Sequence, residues 1–338
     1  MNPGAVVPTD LARGVLDRQR RALAKAITLI ESTRDDHQVA AQRLLEQLLP
    51  HTGRAVRVGI SGVPGVGKST FIEAFGTFLT SIGRRVAVLA VDPSSARTGG
   101  SILGDKTRMV QLAADPNAFI RPSPSAGSLG GVARRTREVA LVCEAAGYDV
   151  VLVETVGVGQ SEVTVASMVD FFLVLMLAGA GDELQGIKKG ILELADALAI
   201  NKADGDNLRA AERAAAEYRG ALRLFRPASA SWSARVVTVS AVEKRGMDGV
   251  WEMILEHHAL LDGNGELRSK REGQRLSWFR SMLEDGLLRH FLERGDVREL
   301  VAALQDPIRE GRMTPTDGAR RVLDVIAGGG RSAGTLVD

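Results

Sequence analysis

The sequence has little of several residue types that mark particular protein classes. Among 338 residues there are one cysteine, Cys143, and five histidines. A single cysteine excludes an intramolecular disulfide and a cysteine-cluster metal site, and it is typical of a reducing compartment. Lysine and arginine (43) nearly balance aspartate and glutamate (41), so net charge gives no reason to expect nucleic-acid or membrane binding. We therefore predict a cytoplasmic protein whose partners are chosen by local sites.

Long apolar segments are also missing. The most apolar run, Phe171–Ala180, is about half the length of a bilayer-spanning helix. Arginines interrupt the apolar residues of Leu11–Ile30, where an export signal would otherwise be sought. The sequence thus predicts no membrane span and no export signal. Its composition, 45% hydrophobic and 25% charged, is that of a globular protein able to bury a large core.

After Pro50 the sequence alternates short β-branched runs with helical patterns. The runs predicted as strands are 56–60, 86–91, 150–153, 171–177, 197–200 and 236–239. This alternation predicts an α/β fold with a doubly wound, mostly parallel sheet. Helical patterns on either side predict three parts, which are a helical extension (1–50), the α/β domain (51–262) and a C-terminal helical arm (263–338).

The C-terminal arm carries more apolar surface than one helix can leave exposed. Its apolar residues recur at helical spacing and include Leu276, Phe279, Leu283, Leu287 and Phe291. Such a stripe needs a partner surface. The pattern alone leaves two partners open, the rest of the same chain and a second subunit.

A glycine-rich loop lies between a predicted strand and a predicted helix. It reads Gly62-Val63-Pro64-Gly65-Val66-Gly67-Lys68-Ser69-Thr70. Glycines let backbone N–H groups wrap around phosphate oxygens, and the helix N-terminus adds its positive dipole end. Lys68 is expected to reach the β- and γ-phosphates, and the Ser69 hydroxyl to bind Mg²⁺. The loop predicts a site for a nucleoside di- or triphosphate.

A second string indicates which base is bound. Asn201-Lys202-Ala203-Asp204 closes a late strand, at the edge where open α/β sheets bind ligands. The Asp204 carboxylate can accept hydrogen bonds from guanine N1–H and its amino group, which adenine cannot supply. Ser240-Ala241-Val242 follows the next strand, and its backbone is expected to contact the guanine oxygen. Together with the phosphate loop, these strings predict GTP or GDP as the ligand.

Acidic residues at neighbouring strand ends are candidates for binding Mg²⁺. Asp92 follows the second predicted strand and Glu154 follows the third, while Asp105 lies in a glycine-rich loop. Carboxylates suit this oxygen-preferring ion. Gly157 is expected to donate its N–H to the γ-phosphate and so to sense hydrolysis. It is followed by Val158, where Ras-like GTPases have a water-orienting glutamine, so intrinsic hydrolysis is predicted to be slow.

The motifs from Gly62 to Asp204, and the order in which they follow one another, resemble those of the MeaB/ArgK family. Members of this family are GTPases of the SIMIBI branch of P-loop proteins, and they accompany methylmalonyl-CoA mutase. The string Glu154-Thr155-Val156-Gly157-Val158-Gly159-Gln160 is the most distinctive. The resemblance implies that Lys68, Asp92, Asp105 and Glu154 are the nucleotide and Mg²⁺ residues. It also implies that Gly179–Lys188 is a third switch facing the mutase and that the arm forms a homodimer.

The same resemblance implies a function, a G-protein chaperone whose GTP hydrolysis gates adenosylcobalamin delivery to the mutase and protects it. An adenosyltransferase is a further candidate partner. The sequence lacks an Asp-x-His-x-x-Gly cobalamin-ligating string, so no tightly held cobalamin is expected. The alternatives are a P-loop kinase or ATPase linked to arginine and ornithine transport, which Asp204 disfavours, and a metal-insertion GTPase, which the scarcity of histidine and cysteine disfavours.

Overall fold

A parallel β-sheet forms the centre of the structure. The structure is a computed structural model and describes residues 8–91, 109–122, 129–155, 161–179, 189–223 and 229–327. The strands in these ranges are β1 (Val56–Gly62), β2 (Val86–Val91), β3 (Ala118–Arg121), β4 (Val150–Thr155), β5 (Phe171–Leu177), β6 (Ala197–Asn201) and β7 (Arg235–Thr238). They lie in the order β3-β2-β4-β1-β5-β6-β7, and each described pair is parallel. The predicted α/β class is confirmed.

Helices precede, connect and follow the strands. In the described ranges they are α1 (Pro8–Leu16), α2 (Arg20–Glu31), α3 (Asp35–Leu48), α4 (Lys68–Ser81), α5 (Val110–Ala114), α6 (Leu129–Ala145), α7 (Ser161–Ala166), α8 (Lys189–Leu194), α9 (Leu208–Leu222), α10 (Met247–Gly263), α11 (Glu266–Glu293), α12 (Gly295–Arg309) and α13 (Pro315–Ala327). None of these described helices has the length and apolarity needed to cross a membrane.

The strands are predominantly apolar because both faces of the sheet are covered. In β5, Phe172 and Val174 belong to one buried apolar cluster, while Phe171 and Leu173 belong to another. Successive strand residues point to opposite faces, so the two clusters lie on opposite sides of the sheet. The first cluster includes apolar residues of α1–α3, and the second includes those of α4 and α10. This burial explains why the strands read as continuous apolar runs rather than alternating ones.

Two details of the predicted chain path are wrong. The short edge strand β3, which pairs with β2 from Val86↔Ala118 onward, was not among the predicted strands. Glu154 therefore lies on the fourth strand rather than the third. Within the predicted helical extension, the apolar residues of Leu11–Ile30 recur at helical spacing as if they belonged to one helix, but they form two, because the chain turns at Arg18, whose φ is +61°.

The chain divides into two compact units, one up to Arg275 and one from Leu276 onward. In the second unit α12 and α13 pack closely, since a Cβ added at Gly318 would lie 2.6 Å from Cδ1 of Ile308. Several large apolar side chains of this unit are exposed, among them Leu276, Phe279, Leu283 and Leu287. The three-part domain division stays a prediction.

A buried carboxylate anchors the start of α11 within the first unit. Arg271 donates to both oxygens of Asp170, from Nε at 2.8 Å and from Nη2 at 2.7 Å, and the backbone N–H of Arg57 donates to Oδ2 at 2.8 Å. Burial acts to raise the pKa of Asp170, but the hydrogen bonds and charge of Arg271 outweigh it and hold the pKa below its usual value. The ionised carboxylate thus stabilises the fold.

We expect Asp170→Asn to lower the free energy of unfolding at pH 7 by about 2 kcal/mol, because a charge-assisted network loses its charge. A depressed pKa stabilises the fold above the unfolded value, roughly 3.9, and this contribution disappears as pH falls through the folded pKa. The free energy of unfolding, measured with urea from pH 7 down to pH 3, should therefore fall less steeply for the variant than for the wild type. Asp324→Asn, at an exposed site, should keep the wild-type slope, and an equal slope for Asp170→Asn would contradict the prediction.

Candidate functional site

The glycine-rich loop connects β1 to α4 at the carboxyl edge of the sheet. At its start, Gly62 has a φ of +152°, and a Cβ there would lie 2.5 Å from the carbonyl oxygen of Leu175 in β5. At its end, Gly67 adopts the left-handed conformation directly before α4. Side chains at either position would push the loop out of shape. The loop therefore keeps its backbone N–H groups near the N-terminus of α4, where anions bind favourably.

Lys68 is the first residue of α4, and its side chain reaches back across the loop. Its Nζ donates to the carbonyl oxygen of Gly62 at 2.7 Å and to that of Val63 at 3.4 Å. Burial lowers the pKa of Lys68, and the charges of Glu154 and Glu162 partly oppose this. A desolvated ammonium group at this place is suited to interact strongly with a phosphate.

Ser69, in the first turn of α4, lies beside Glu154 of β4. The Ser69 hydroxyl donates to Oε1 of Glu154 at 3.3 Å, and Glu154 is buried, with 3% of its surface exposed. The pair is possible because β4 lies beside β1, with Ile60 in register with Glu154. A hydroxyl and a carboxylate are both hard oxygen donors, which is the donor chemistry that Mg²⁺ prefers. These two residues therefore fit the predicted ion.

Three predicted site residues, Asp92, Asp105 and Gly157, lie outside the described residues. Their roles in Mg²⁺ binding and phosphate sensing stay predictions. Within the described ranges, no group of three or more histidine, cysteine, aspartate or glutamate residues could hold a metal ion.

Asn201 connects the phosphate loop to the base-binding strings. Its side-chain Nδ2 donates to the carbonyl oxygen of Val66 at 2.8 Å, and its Oδ1 accepts the N–H of Ala241 at 3.4 Å. A Cβ at Gly67 would lie only 3.0 Å from the same Nδ2. One buried amide therefore joins three segments that are distant in sequence.

The base-binding strings come together beyond β6 and β7. The Ser240 hydroxyl donates to Oδ2 of Asp204 at 2.5 Å, which fixes the orientation of the carboxylate. Lys202, whose φ is +58°, donates from Nζ to the carbonyl oxygen of Gly65 at 2.9 Å. Val242 is exposed, at 78%. Lys202 therefore joins the base-binding strings to the phosphate loop, and the half-buried Asp204 follows two residues later.

Two residues near the site were missed by the sequence reasoning. Glu162, at the start of α7, is 2% exposed and contributes charge at Lys68. Arg245 donates to the carbonyl oxygen of Ala203 and pairs through its backbone with Ser240, so it supports the base-binding strings. Neither residue belongs to a nucleotide motif, and the only available signal was proximity to one in the sequence.

We expect Ser69→Ala to raise the Mg²⁺ concentration giving half-maximal GTP turnover by about tenfold or more, because the site loses an oxygen donor. Turnover titrated with MgCl₂ at saturating GTP would measure this. Ser81→Ala removes a hydroxyl at the far end of the same helix, where it donates to the carbonyl oxygen of Phe78, and should leave the titration unchanged. Equal Mg²⁺ dependence for wild type and Ser69→Ala would refute the assignment.

Comparison with protein families places this site in a known context. The family model described as "Methylmalonyl Co-A mutase-associated GTPase MeaB" matches residues 23–296. The chain belongs to the MeaB family of GTPases. A putative GTPase of Caulobacter vibrioides is 57% identical over 304 residues, covering 90% of this chain and 93% of that protein. This MeaB-family protein is accordingly a P-loop GTPase that binds and hydrolyses GTP.

Two further relatives show the breadth of the MeaB family. The mouse protein named methylmalonic aciduria type A homolog, mitochondrial, is 47% identical over 323 residues, covering 93% of this chain and 78% of that protein. A solved structure titled LAO/AO transport system kinase has 39% identity and a TM-score of 0.77, covering 97% of this chain and all of that chain. The resemblance to the MeaB/ArgK family, inferred from the sequence motifs, is confirmed.

Proposed function

We propose that this MeaB-family GTPase is a chaperone for a cobalamin-dependent acyl-CoA mutase, methylmalonyl-CoA mutase or a close relative. In this role, GTP binding and hydrolysis gate the delivery of adenosylcobalamin and protect the mutase from inactivation. The proposal is supported by the phosphate loop and Asn201, which are hydrogen-bonded to each other, in a family whose model is described by its association with that mutase. The cobalamin itself is held by the partners.

The chain's own residues divide the work of nucleotide binding. The loop N–H groups and Lys68 hold the phosphates, and Asp204, oriented by Ser240, selects guanine by accepting two hydrogen bonds. Asn201 keeps the two subsites together. These groups fix the nucleotide before reaction, so positioning and electrostatic stabilisation supply most of the rate acceleration.

Mg²⁺ would be held by Ser69 and Glu154, with Asp92 and Asp105 as the further candidate carboxylates. Bound there, the ion would neutralise charge that develops on the phosphate oxygens. Glu154 accepts a hydrogen bond from Ser69, which keeps both oxygens aimed at the same point. Because Val158 follows Gly157, no glutamine stands in the usual water-orienting place, so we propose a slow intrinsic rate that a partner increases.

The second unit is the proposed dimerisation surface. Leu276, Phe279, Leu283 and Leu287 are all at least half exposed, from 50% to 63%. Apolar residues repeated along one helix at this exposure mark an interaction site. We propose a second copy of this chain as the partner there.

GTP turnover measured alone and with purified adenosylcobalamin-dependent acyl-CoA mutases tests the proposal. We expect one mutase to form a nucleotide-dependent complex and to raise kcat by about tenfold or more, as completion of a GTPase site by a partner does. Absence of both stimulation and complex for every such mutase would remove the chaperone role while leaving the GTPase intact. Phosphate transfer from ATP to arginine or ornithine would instead support the transport-linked kinase.

A further inference from the structure

A cavity of about 340 Å³ lies at the edge of the sheet opposite the phosphate loop. Its lining includes Ala55 and Asp149, which directly precede β1 and β4, so it sits where the parallel strands begin. The remaining walls include Leu16 and the turn after α6 around Gly147. The volume is at the lower end of the range for small-molecule sites.

The two acidic residues of the lining already have hydrogen-bond donors. Glu144 accepts the N–H of Gly53 and the Nε of Arg57, each at 2.5 Å. Asp149 accepts the backbone N–H of Arg85 at 2.8 Å. These carboxylates are therefore part of the protein's own network.

The cationic residues that line the cavity differ from the acidic ones in their hydrogen bonding. Arg18 and Arg54 line the cavity, with His51 beside them. Among the residues that the structure describes, neither guanidinium has a hydrogen-bond or ion-pair partner. Each guanidinium carries five N–H donors in a planar fork that matches a carboxylate or phosphate. Both arginines are exposed to solvent, so their positively charged donors are available to a ligand that enters the cavity.

The backbone at Arg18 gives an independent indication. Arg18 follows α1 with a φ of +61°, donating its N–H to Val15 at 2.9 Å, while Gln19 donates to Gly14 at 2.9 Å. This double hydrogen bond is the helix ending in which glycine normally occupies the left-handed position. An arginine there is strained, and strain of this kind is a reason to look for a function of the side chain.

The position of the Arg18 side chain is also supported by its neighbour. A Cβ added at Gly147, whose φ is +76°, would lie 3.0 Å from Nε of Arg18. The guanidinium therefore rests against a glycine at the cavity wall. The left-handed turn is what directs this side chain to the cavity rather than along α1.

We propose that this cavity binds a small organic anion whose carboxylate or phosphate group is held by Arg18 and Arg54. The site is separate from the nucleotide site, since the two lie at opposite ends of β1. Its apolar wall at Leu16 and Ala55 accommodates the carbon skeleton of such a molecule. Nothing in the proposed chaperone role requires it.

The test uses the full chain saturated with Mg²⁺ and GDP, so that the phosphate loop is already occupied. Inorganic phosphate and succinate are the two probes, and sodium chloride at equal ionic strength is the reference. Binding is measured by calorimetry and by the shift in melting temperature. We expect at least one probe to bind to the wild type, and the one that binds distinguishes a phosphate from a carboxylate ligand.

Arg18→Gly separates binding from stability. Glycine suits the left-handed position, so we expect a urea midpoint equal to or higher than that of the wild type together with affinity weaker by about tenfold or more. Arg54→Ala should weaken binding similarly. Arg21→Ala, at an exposed arginine outside the cavity, should bind as the wild type does.

The proposal is overturned if neither probe binds the GDP-loaded wild type beyond the chloride reference. It is also overturned if both cavity variants bind as well as Arg21→Ala. A clearly lowered urea midpoint for Arg18→Gly would show instead that the arginine is kept for folding.

Discussion

Replacing Lys68 by alanine should lower kcat for GTP hydrolysis by about 10²–10³-fold, the size of effect seen when one preorganised charge stabiliser is lost. The ammonium group is held at the loop by the carbonyl oxygens of Gly62 and Val63, whereas the Lys202 ammonium group bonds to Gly65 further along the loop. Partial burial, which lowers the pKa of Lys68, also reduces the screening of its charge by water, so this charge acts more strongly on a phosphate than that of an exposed lysine. Single-turnover hydrolysis at saturating GTP measures the effect.

The fold should survive this change, since within the described part of the chain the hydrogen bonds of this lysine go to loop carbonyls. Lys25→Ala, at an exposed position of α2, is the matched control and should retain wild-type turnover. Thermal unfolding of both variants separates loss of chemistry from loss of structure. Turnover of Lys68→Ala within a factor of about three of the wild type would contradict the role assigned to this residue.

Asp204→Asn should weaken GTP binding by about 100-fold or more and make XTP the preferred nucleotide. The carboxylate accepts hydrogen bonds from both N–H donors on the guanine edge. The asparagine side chain instead points its own N–H donors at one of these guanine donors, and a polar site strongly rejects such a mismatch. Xanthine offers a carbonyl where guanine has its amino group, so the amide pairs with it. Competition of GTP, XTP and ATP against a labelled guanine nucleotide measures the change.

Asp206→Asn provides the control for this experiment, because it makes the same chemical change two residues away at an exposed position. It should leave the order of nucleotide preference as in the wild type. Should Asp204→Asn also retain that order, the base would have to be selected elsewhere, and the contact between Ser240 and Asp204 would be structural.

The strands were predictable wherever burial dictated their composition. β1, β2, β4, β5 and β6 lie inside the sheet and must be apolar on both faces, so they stand out as apolar runs. β3 was missed because its four residues, AFIR, include a single β-branched one, whereas the equally short edge strand β7, RVVT, has three. The break between α1 and α2 was missed because an arginine occupies the left-handed turn at residue 18, where a glycine would have signalled the end of a helix.

The candidate site was predictable to the extent that its residues belong to contiguous strings at strand ends. Parallel strands bring their carboxyl ends to one edge, so the meeting of Ser69 with Glu154 follows from topology once the strand order is known. The contribution of Glu162 depends on how α7 packs beside Lys68, which no string encodes. The meeting of Arg18 and Arg54 at the cavity could not be predicted either, since they come from segments whose spacing matches no ligand-binding pattern.

The side-chain amide of Asn201 fixes the distance between the phosphate and guanine subsites. Because it bonds to Val66 and to Ala241 at once, the span between the phosphate and guanine subsites is fixed before any ligand arrives. A nucleotide whose base-to-phosphate distance matches that span binds both subsites at once, so its affinity exceeds that of two separate ligands. The protein does not have to become ordered for this, which removes a further cost of binding. Guanosine and pyrophosphate offered as separate molecules should therefore bind far more weakly than GDP, although together they make nearly the same contacts.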